Sequence, residues 1–147
     1  MFDKKLKDVM TSPVSCLGPH ETIKDAASKM SELDIGALVV CEDDGSPVGI
    51  VTDRDITVRA IAQGKDPATC RVAEVMSRQV VTCDEEDTTK RAEELMEQHQ
   101  IRRVVVMGAD KKPRGIVALS DLVSIDRGMT GRIVEKVTQP ASGFTGH

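Results

Sequence analysis

Two aspartates close two similar stretches, Gly49-Ile50-Val51-Thr52-Asp53-Arg54-Asp55 and Gly115-Ile116-Val117-Ala118-Leu119-Ser120-Asp121. Each stretch is a glycine, a short aliphatic run and then small polar residues, the pattern of a buried strand running into a helix start. Thr52-x-x-Asp55 has the spacing of a capping box, in which hydroxyl and carboxylate satisfy the first free N–H groups of a helix. In the second stretch Ala118 has replaced the hydroxyl while Asp121 is kept, so the aspartate is more than one half of a cap. The other reactive residue types form no catalytic set. His20, His99 and His147 have no evident partners for a Ser/His/Asp arrangement, and no P-loop lysine or metal cluster is visible. Asp84-Glu85-Glu86-Asp87 lacks the spacing of a calcium loop and is expected to complement the dipole of the helix that follows it. His99 follows Leu95 and Met96 at helical spacing and is expected to be partly buried surface. The sequence therefore offers no catalytic and no metal residues. Its carboxylates and arginines point to binding, and a local basic spot suffices to hold one phosphate group.

The elements that must position these residues are legible from periodicity. Asp3 to Val9 reads as one or two helical turns with Leu6 and Val9 on one face, and Pro13 separates it from a short strand, Val14-Ser15-Cys16-Leu17. Thr22-x-x-Asp25 caps a helix whose apolar positions are Ile23, Ala26, Ala27, Met30 and Leu33, and Gly36 is expected to end it. Ala37 to Cys41 is a buried strand, Asp44-Gly45 a turn, and Val48 to Val51 an antiparallel return. From Asp53, Ile56, Val58, Ala60 and Ile61 carry a second helix, and Gly64 to Thr69 is a linker. All of this recurs at an offset of 66 positions, Gly49 to Gly115. The register holds without a gap from residue 9 to residue 56: Val9-Met10 meets Val75-Met76, Thr22 meets Thr88, Met30 meets Met96, and Asp55 meets Asp121.

At 147 residues the chain has the length of one ordinary domain, and half of it would be marginal alone. Its net charge of −4 disfavours extended polyanion binding. With no Trp or Tyr and only two Phe, the core must be aliphatic, and the stacking platforms used on single-stranded nucleic acid are missing. No apolar run has membrane-spanning length. Cys16, Cys41, Cys70 and Cys83 form no CxxC pair, and the N-terminus lacks the apolar region of a signal peptide. Free thiols and a cytoplasmic location are expected.

The order strand, helix, strand, strand, helix, twice over, resembles a tandem pair of cystathionine-β-synthase (CBS) domains, a Bateman module. The motifs that carry it are Val9-Met10 and Val75-Met76, Ile35-Gly36-Ala37-Leu38-Val39-Val40 and Ile101-Arg102-Arg103-Val104-Val105-Val106, and the two stretches quoted first. The resemblance implies an α/β fold of two β-α-β-β-α repeats packed with pseudo-two-fold symmetry, repeat 1 over residues 8–66 and repeat 2 over 74–130. Residues 131–147 would follow as a helical turn and flexible tail.

It also implies a function. Members that bind adenosine compounds place an aspartate on the ribose hydroxyls, as an ionised carboxylate suits a vicinal diol. Carried over, Thr52 and Asp55 would take the ribose in repeat 1, with Ser120 and Asp121 as their weaker counterparts in repeat 2. Val14, Cys16 and Ala37 would frame the base. Arg102, Arg103 or Arg54 would meet phosphate, Arg54 with help from the helix start, although Arg102 and Arg103 read equally well as a solvated strand edge. The expectation is a non-catalytic regulatory module that requires no cofactor and holds AMP, ADP or ATP, or less readily S-adenosylmethionine or NADH, in a cleft between the repeats. It would form a homodimer and act on a regulated protein. The alternative is a ligand-independent homodimerisation module whose interface is formed by the helices after each strand pair.

Overall fold

The computed structural model of the chain describes residues 3–12 and 14–124. The expected last helical turn and tail lie outside them, as does Pro13. Two three-stranded sheets are formed, β1 (Cys16–Leu17), β2 (Ala37–Cys41) and β3 (Pro47–Thr52) in one, β4 (Thr82–Asp84), β5 (Arg103–Met107) and β6 (Pro113–Ala118) in the other. In each the order follows the chain, with the first pair parallel. A parallel pair needs a crossover, and α1 (Ile23–Leu33) and α3 (Thr89–His99) provide it. The hairpin β2–β3 is antiparallel, pairing Ala37 with Thr52 and Leu38 with Val51, and its register shifts between Val40 and Cys41.

The two crossover helices are equivalent in sequence but begin differently. At α1 the expected capping box forms: Thr22 Oγ1 accepts from the Asp25 N–H at 3.2 Å and Asp25 Oδ2 accepts from the Thr22 N–H at 3.2 Å. At α3 Arg91 stands where Asp25 stood, and Thr88 caps nothing with its side chain. Asp3 takes over, its Oδ1 accepting from the Lys90 N–H at 3.1 Å and from the Thr89 hydroxyl at 3.3 Å. The acidic run 84–87, which directly precedes α3, also has local partners. Asp87 Oδ2 closes a turn by accepting from the Asp84 N–H at 2.9 Å, and Glu86 pairs with Lys5 and Lys7, each at 2.9 Å. Both helices stop without glycine. Asp34 and Gln100 turn left-handed, each at φ 54°, and the next N–H, of Ile35 or Ile101, returns to the carbonyl of Met30 or Met96 at 3.1 Å. A reversal at Asp34 releases Gly36 from the role of helix stop.

After β3, α2 begins at Asp53–Asp55 and continues as a π-helix over Ile56–Ile61, where the Ala62 N–H reaches back five residues to Thr57 O at 2.9 Å. The wider turn buries Ala60 completely and leaves Val58 and Ile61 41% and 53% exposed, so those two leave the apolar face their spacing suggested. After β6, α4 covers Leu119–Val123.

The described chain divides into two compact units. One holds Val14–Val80 and Lys111–Pro113; the other holds residues 3–12, Val81–Asp110 and residues 114–124. Each has its own aliphatic core, built on Leu38, Val40, Val51 and Met30 in the first and on Val104, Val106, Val117 and Met96 in the second. Each is completed by a short 3₁₀ turn. Val72–Glu74 buries Val72 in the first core, and its counterpart Leu6–Asp8 buries Leu6 in the second. The strand-like residue after each turn then bridges the sheet, Ser77 to Ile50 and Thr11 to Ile116. Residues 3–12 thus lie before the first sheet in sequence and belong to the second in space.

Candidate functional site

The strand-to-helix step of β3 and α2 folds as its residue types dictate. Thr52 Oγ1 accepts from the Asp55 N–H at 3.1 Å, and Asp55 Oδ2 accepts from the Thr52 N–H at 2.9 Å, a complete capping box. The Asp55 side chain is 15% exposed, and its second oxygen, Oδ1, lies 3.9 Å from Arg59 Nε. That pair is long and half in water, so it holds the carboxylate weakly. Capping therefore engages one carboxylate oxygen and leaves acceptor capacity on the other. Beside it the Asp53 N–H donates to Gly36 O at 3.0 Å, and Ala37 is the register partner of Thr52. A Cβ at Gly36 would come within 3.1 Å of Asp53 Oδ2, the end of an exposed side chain that needs to give by only a few tenths of an ångström. Arg54, half-buried, sits between the two aspartates in sequence.

The second unit repeats the backbone of this step and changes its side chains. Asp121 Oδ2 accepts from the Ala118 N–H at 2.8 Å, and the Leu119 N–H donates to Arg102 O at 2.8 Å, as Asp53 does to Gly36. No hydroxyl answers the Asp121 N–H. Leu119, 7% exposed, replaces the exposed Asp53, and Arg102 replaces Gly36. Arg102 and Arg103 are half-buried, Arg103 opening β5, and Ser120 is exposed. Because only the hydroxyl is missing from the cap, Ala118→Thr is expected to stabilise the chain by about 1 kcal/mol, the usual worth of an N-cap side chain. Denaturant unfolding checks it, and a loss of stability would show that the box cannot close there.

The base-framing candidates divide. Ala37 stands beside Thr52. Val14 and Cys16 instead line a cavity of about 450 Å³ with Leu17, His20 and Cys41, which Ala37, Thr52 and Asp55 do not line. Cys41 is four residues along β2 from Ala37, so Cys16 opens toward the far end of the strand from Thr52. Neither His20 nor Cys41 was among the binding candidates of the sequence. The only signal that joins Cys16 to Cys41 is the parallel register of Cys16 with Val39, which a linear reading does not supply. Cys41, Cys70 and Cys83 are buried and free, as expected of thiols packed as small hydrophobes, and Cys16 is half-buried. His99, expected to be partly buried, is exposed on the last residue of α3, because Leu95 and Met96 take the inward face. Among the described residues no group of three or more His, Cys, Asp or Glu side chains could hold a metal ion. No helix among them is long and apolar enough to cross a membrane.

The doubled strand–helix–strand–strand–helix order with its two Gly-to-Asp steps has a match among known families. The family model of the CBS domain fits residues 6–60 and again residues 72–128. The chain belongs to the CBS-domain family. Its repeats align with relatives over most of their length. The CBS domain-containing protein YhcV of Bacillus subtilis is 44% identical over 117 residues, 80% of this chain and 81% of that one. A crystal structure of Hypoxic Response Protein I with two coordinated zinc ions is 37% identical, covers 82% of this chain and 98% of that chain, and superposes with a TM-score of 0.70. The CBS domain pair of protein MJ0100, in complex with 5′-methylthioadenosine and S-adenosyl-L-methionine, is 27% identical over 86% of this chain and 98% of that chain, at a TM-score of 0.73. The α/β architecture of this CBS-domain chain, with two sheets and tandem repeats, is that of these proteins.

Proposed function

We propose that the chain is a non-catalytic regulatory module that binds an adenosine compound at the β3–α2 step, with the ribose hydroxyls on Asp55. The observation that carries the reading is the Asp55 carboxylate, fixed by Thr52 through one oxygen and open through the other, beside the small residues Gly36 and Ala37. A CBS pair of the same architecture takes two adenosine compounds, which supports the ligand class. Ala37 would meet the base, with Val14 and Cys16 contributing only if the ligand reaches along β2. Arg54 is the phosphate candidate at this step. Asp121, Ser120, Arg102 and Arg103 form the corresponding step of the other unit, poorer by one hydroxyl. AMP, ADP and ATP are the preferred ligands, ahead of S-adenosylmethionine and NADH. A protein partner would read the bound state, since a ligand shifts a conformational equilibrium only by its unequal affinity for the two states.

Thermal melting with a panel of AMP, ADP, ATP, S-adenosylmethionine, 5′-methylthioadenosine and NADH tests this. A ligand at 100 times its dissociation constant is expected to stabilise by about 2.7 kcal/mol. No shift with any of the six would overturn the proposal in favour of the second reading, a ligand-independent pairing module. That reading draws on the exposed Val58 and Ile61 of the π-helical turn, which a second copy of the chain would cover. Sedimentation of the same samples shows whether pairs form without ligand.

A further inference from the structure

Cys16 and Cys41 lie 25 residues apart in sequence and come together only through the sheet. Cys16 is the register partner of Val39, so Cys41, two residues further along β2, projects from the same face of the sheet. Such diagonal neighbours have Cα atoms about 7–8 Å apart, beyond the usual span of a disulfide, so closing a bridge requires the backbone to move. On its other edge the strand is irregular, its pairing with β3 shifting between Val40 and Cys41. Both side chains line the same cavity, whose volume of about 450 Å³ suits a small molecule. Its lining carries charges of both signs, Lys112 alongside Glu21, Glu42 and Asp43, and also includes His20.

We propose that Cys16 and Cys41 are a thiol–disulfide exchange pair, Cys16 attacking and Cys41 resolving, whose substrate is a low-molecular-weight, zwitterionic disulfide. The two thiols differ as these roles require. The neighbouring Cys41 thiol is the largest influence that brings Cys16 down to about 7, and the Lys29 charge adds to it. Cys41 is pushed far up by the same contact and by burial, and stays a thiol. Lys29 is held in place by donating from Nζ to Cys16 O at 2.8 Å. Cys70 and Cys83 are buried thiols outside the cavity. Burial raises both, Cys83 to about 11, which makes them internal controls.

The exchange balances. The Cys16 thiolate attacks one sulfur of the small disulfide, whose S–S bond breaks and releases one small thiolate. That thiolate takes the Cys41 proton. The Cys41 thiolate then attacks the Cys16 sulfur, breaking the mixed disulfide and releasing the second small thiolate, which takes up a proton from water to replace the one Cys16 had already lost. Two protein sulfurs are oxidised by two electrons, and the small disulfide is reduced to two thiols.

Glutathione disulfide serves as the probe. The reduced full chain is incubated with it, acid-quenched, and followed by intact mass, thiol titration in denaturant and peptide mapping. The mass is expected to fall by two hydrogens, the titre to fall from the four cysteines of the sequence to two, and one digest peptide to join Cys16 to Cys41. Cys41→Ser is expected to stop at one glutathione on Cys16, and Cys16→Ser to take up none. Reaction at Cys16 should outpace that at Cys70 and Cys83 by more than about tenfold. An unchanged titre, or glutathione landing first on Cys70 or Cys83, overturns the proposal in the unaltered chain, whether or not the variants fold.

Discussion

Gly49→Ala is expected to lower stability by about 2 kcal/mol, the range of an overpacked core site, although alanine in place of glycine within a strand ordinarily gains stability. The sign reverses because of what lies over Gly49. An added Cβ would stand 2.5 Å from Met76 Sδ and 2.9 Å from the carbonyl oxygen of Ser77. The sulfur ends a flexible side chain and can move aside. The carbonyl cannot, because the Ile50 N–H donates to it at 3.0 Å while the Ser77 N–H donates to Ile50 O at 2.8 Å. Relief of the clash breaks that two-bond bridge. Gly115 repeats the situation against Met10 Sδ at 2.7 Å and Thr11 O at 2.7 Å, with Thr11 and Ile116 exchanging the two bonds. Gly115→Ala should therefore cost a similar amount. Calorimetry should show each variant melting about 8–16 °C low for a unit of this size. Hydrogen exchange should find protection lost at Ile50 and Ser77 in one variant and at Thr11 and Ile116 in the other. A melting point within a degree of the parent chain would show that the bridging segments are not held as described.

The second large effect concerns Asp55, whose carboxylate has a structural and a proposed binding task. Asp55→Ala removes both. It is expected to cost about 1 kcal/mol of stability without ligand, as a lost helix cap does, and to abolish the melting shift given by whichever adenosine compound binds. Asp55→Asn separates the tasks. Its amide oxygen still accepts from the Thr52 N–H, so the unliganded melting point should stay near that of the parent. The charge-assisted bonds to a ribose diol are gone, a loss of about 2 kcal/mol that weakens binding about thirtyfold. Thr52→Ala is the complementary case, costing the cap while keeping the carboxylate. Isothermal titration of the three variants decides the matter. Full affinity in Asp55→Asn would remove the ribose from this residue and leave Asp55 as a cap alone.

Much of the architecture could be read from spacing because the chain states it twice. The 66-position offset locates both strand pairs, both crossover helices and both Gly-to-Asp steps, and the Thr22 and Thr52 boxes follow from residue type and local separation. What escaped the reading is long-range. Asp3 caps a helix that starts at Thr89; nothing near Thr88 announces it except the loss of Asp25's counterpart to Arg91. In the sequence Gly49 and Gly115 only open an aliphatic run, and the carbonyls packed on them show why a side chain is excluded. The π-helical turn after Asp55 has no sequence period of its own, so Val58 and Ile61 were assigned to an apolar face that the wider turn rotates into solvent. At the candidate site the aspartates and their local partners were legible, since a cap is built within four residues. The grouping of Cys16 with Cys41 instead of Asp55 was not, because it depends on how far along β2 each neighbour pairs.

The mismatch between sequence order and folded unit has a consequence for biosynthesis. Residues 14–80 form a contiguous stretch that carries its own core and its own bridging turn, so they can consolidate almost entirely while the rest is being translated. Residues 3–12 have been made by then and must wait, because Leu6 and Thr11 find their places only when Val104, Val106 and Ile116 exist. The earlier-made arm is thus a late closure, and a chain shortened within it should release a finished first half and strand the second.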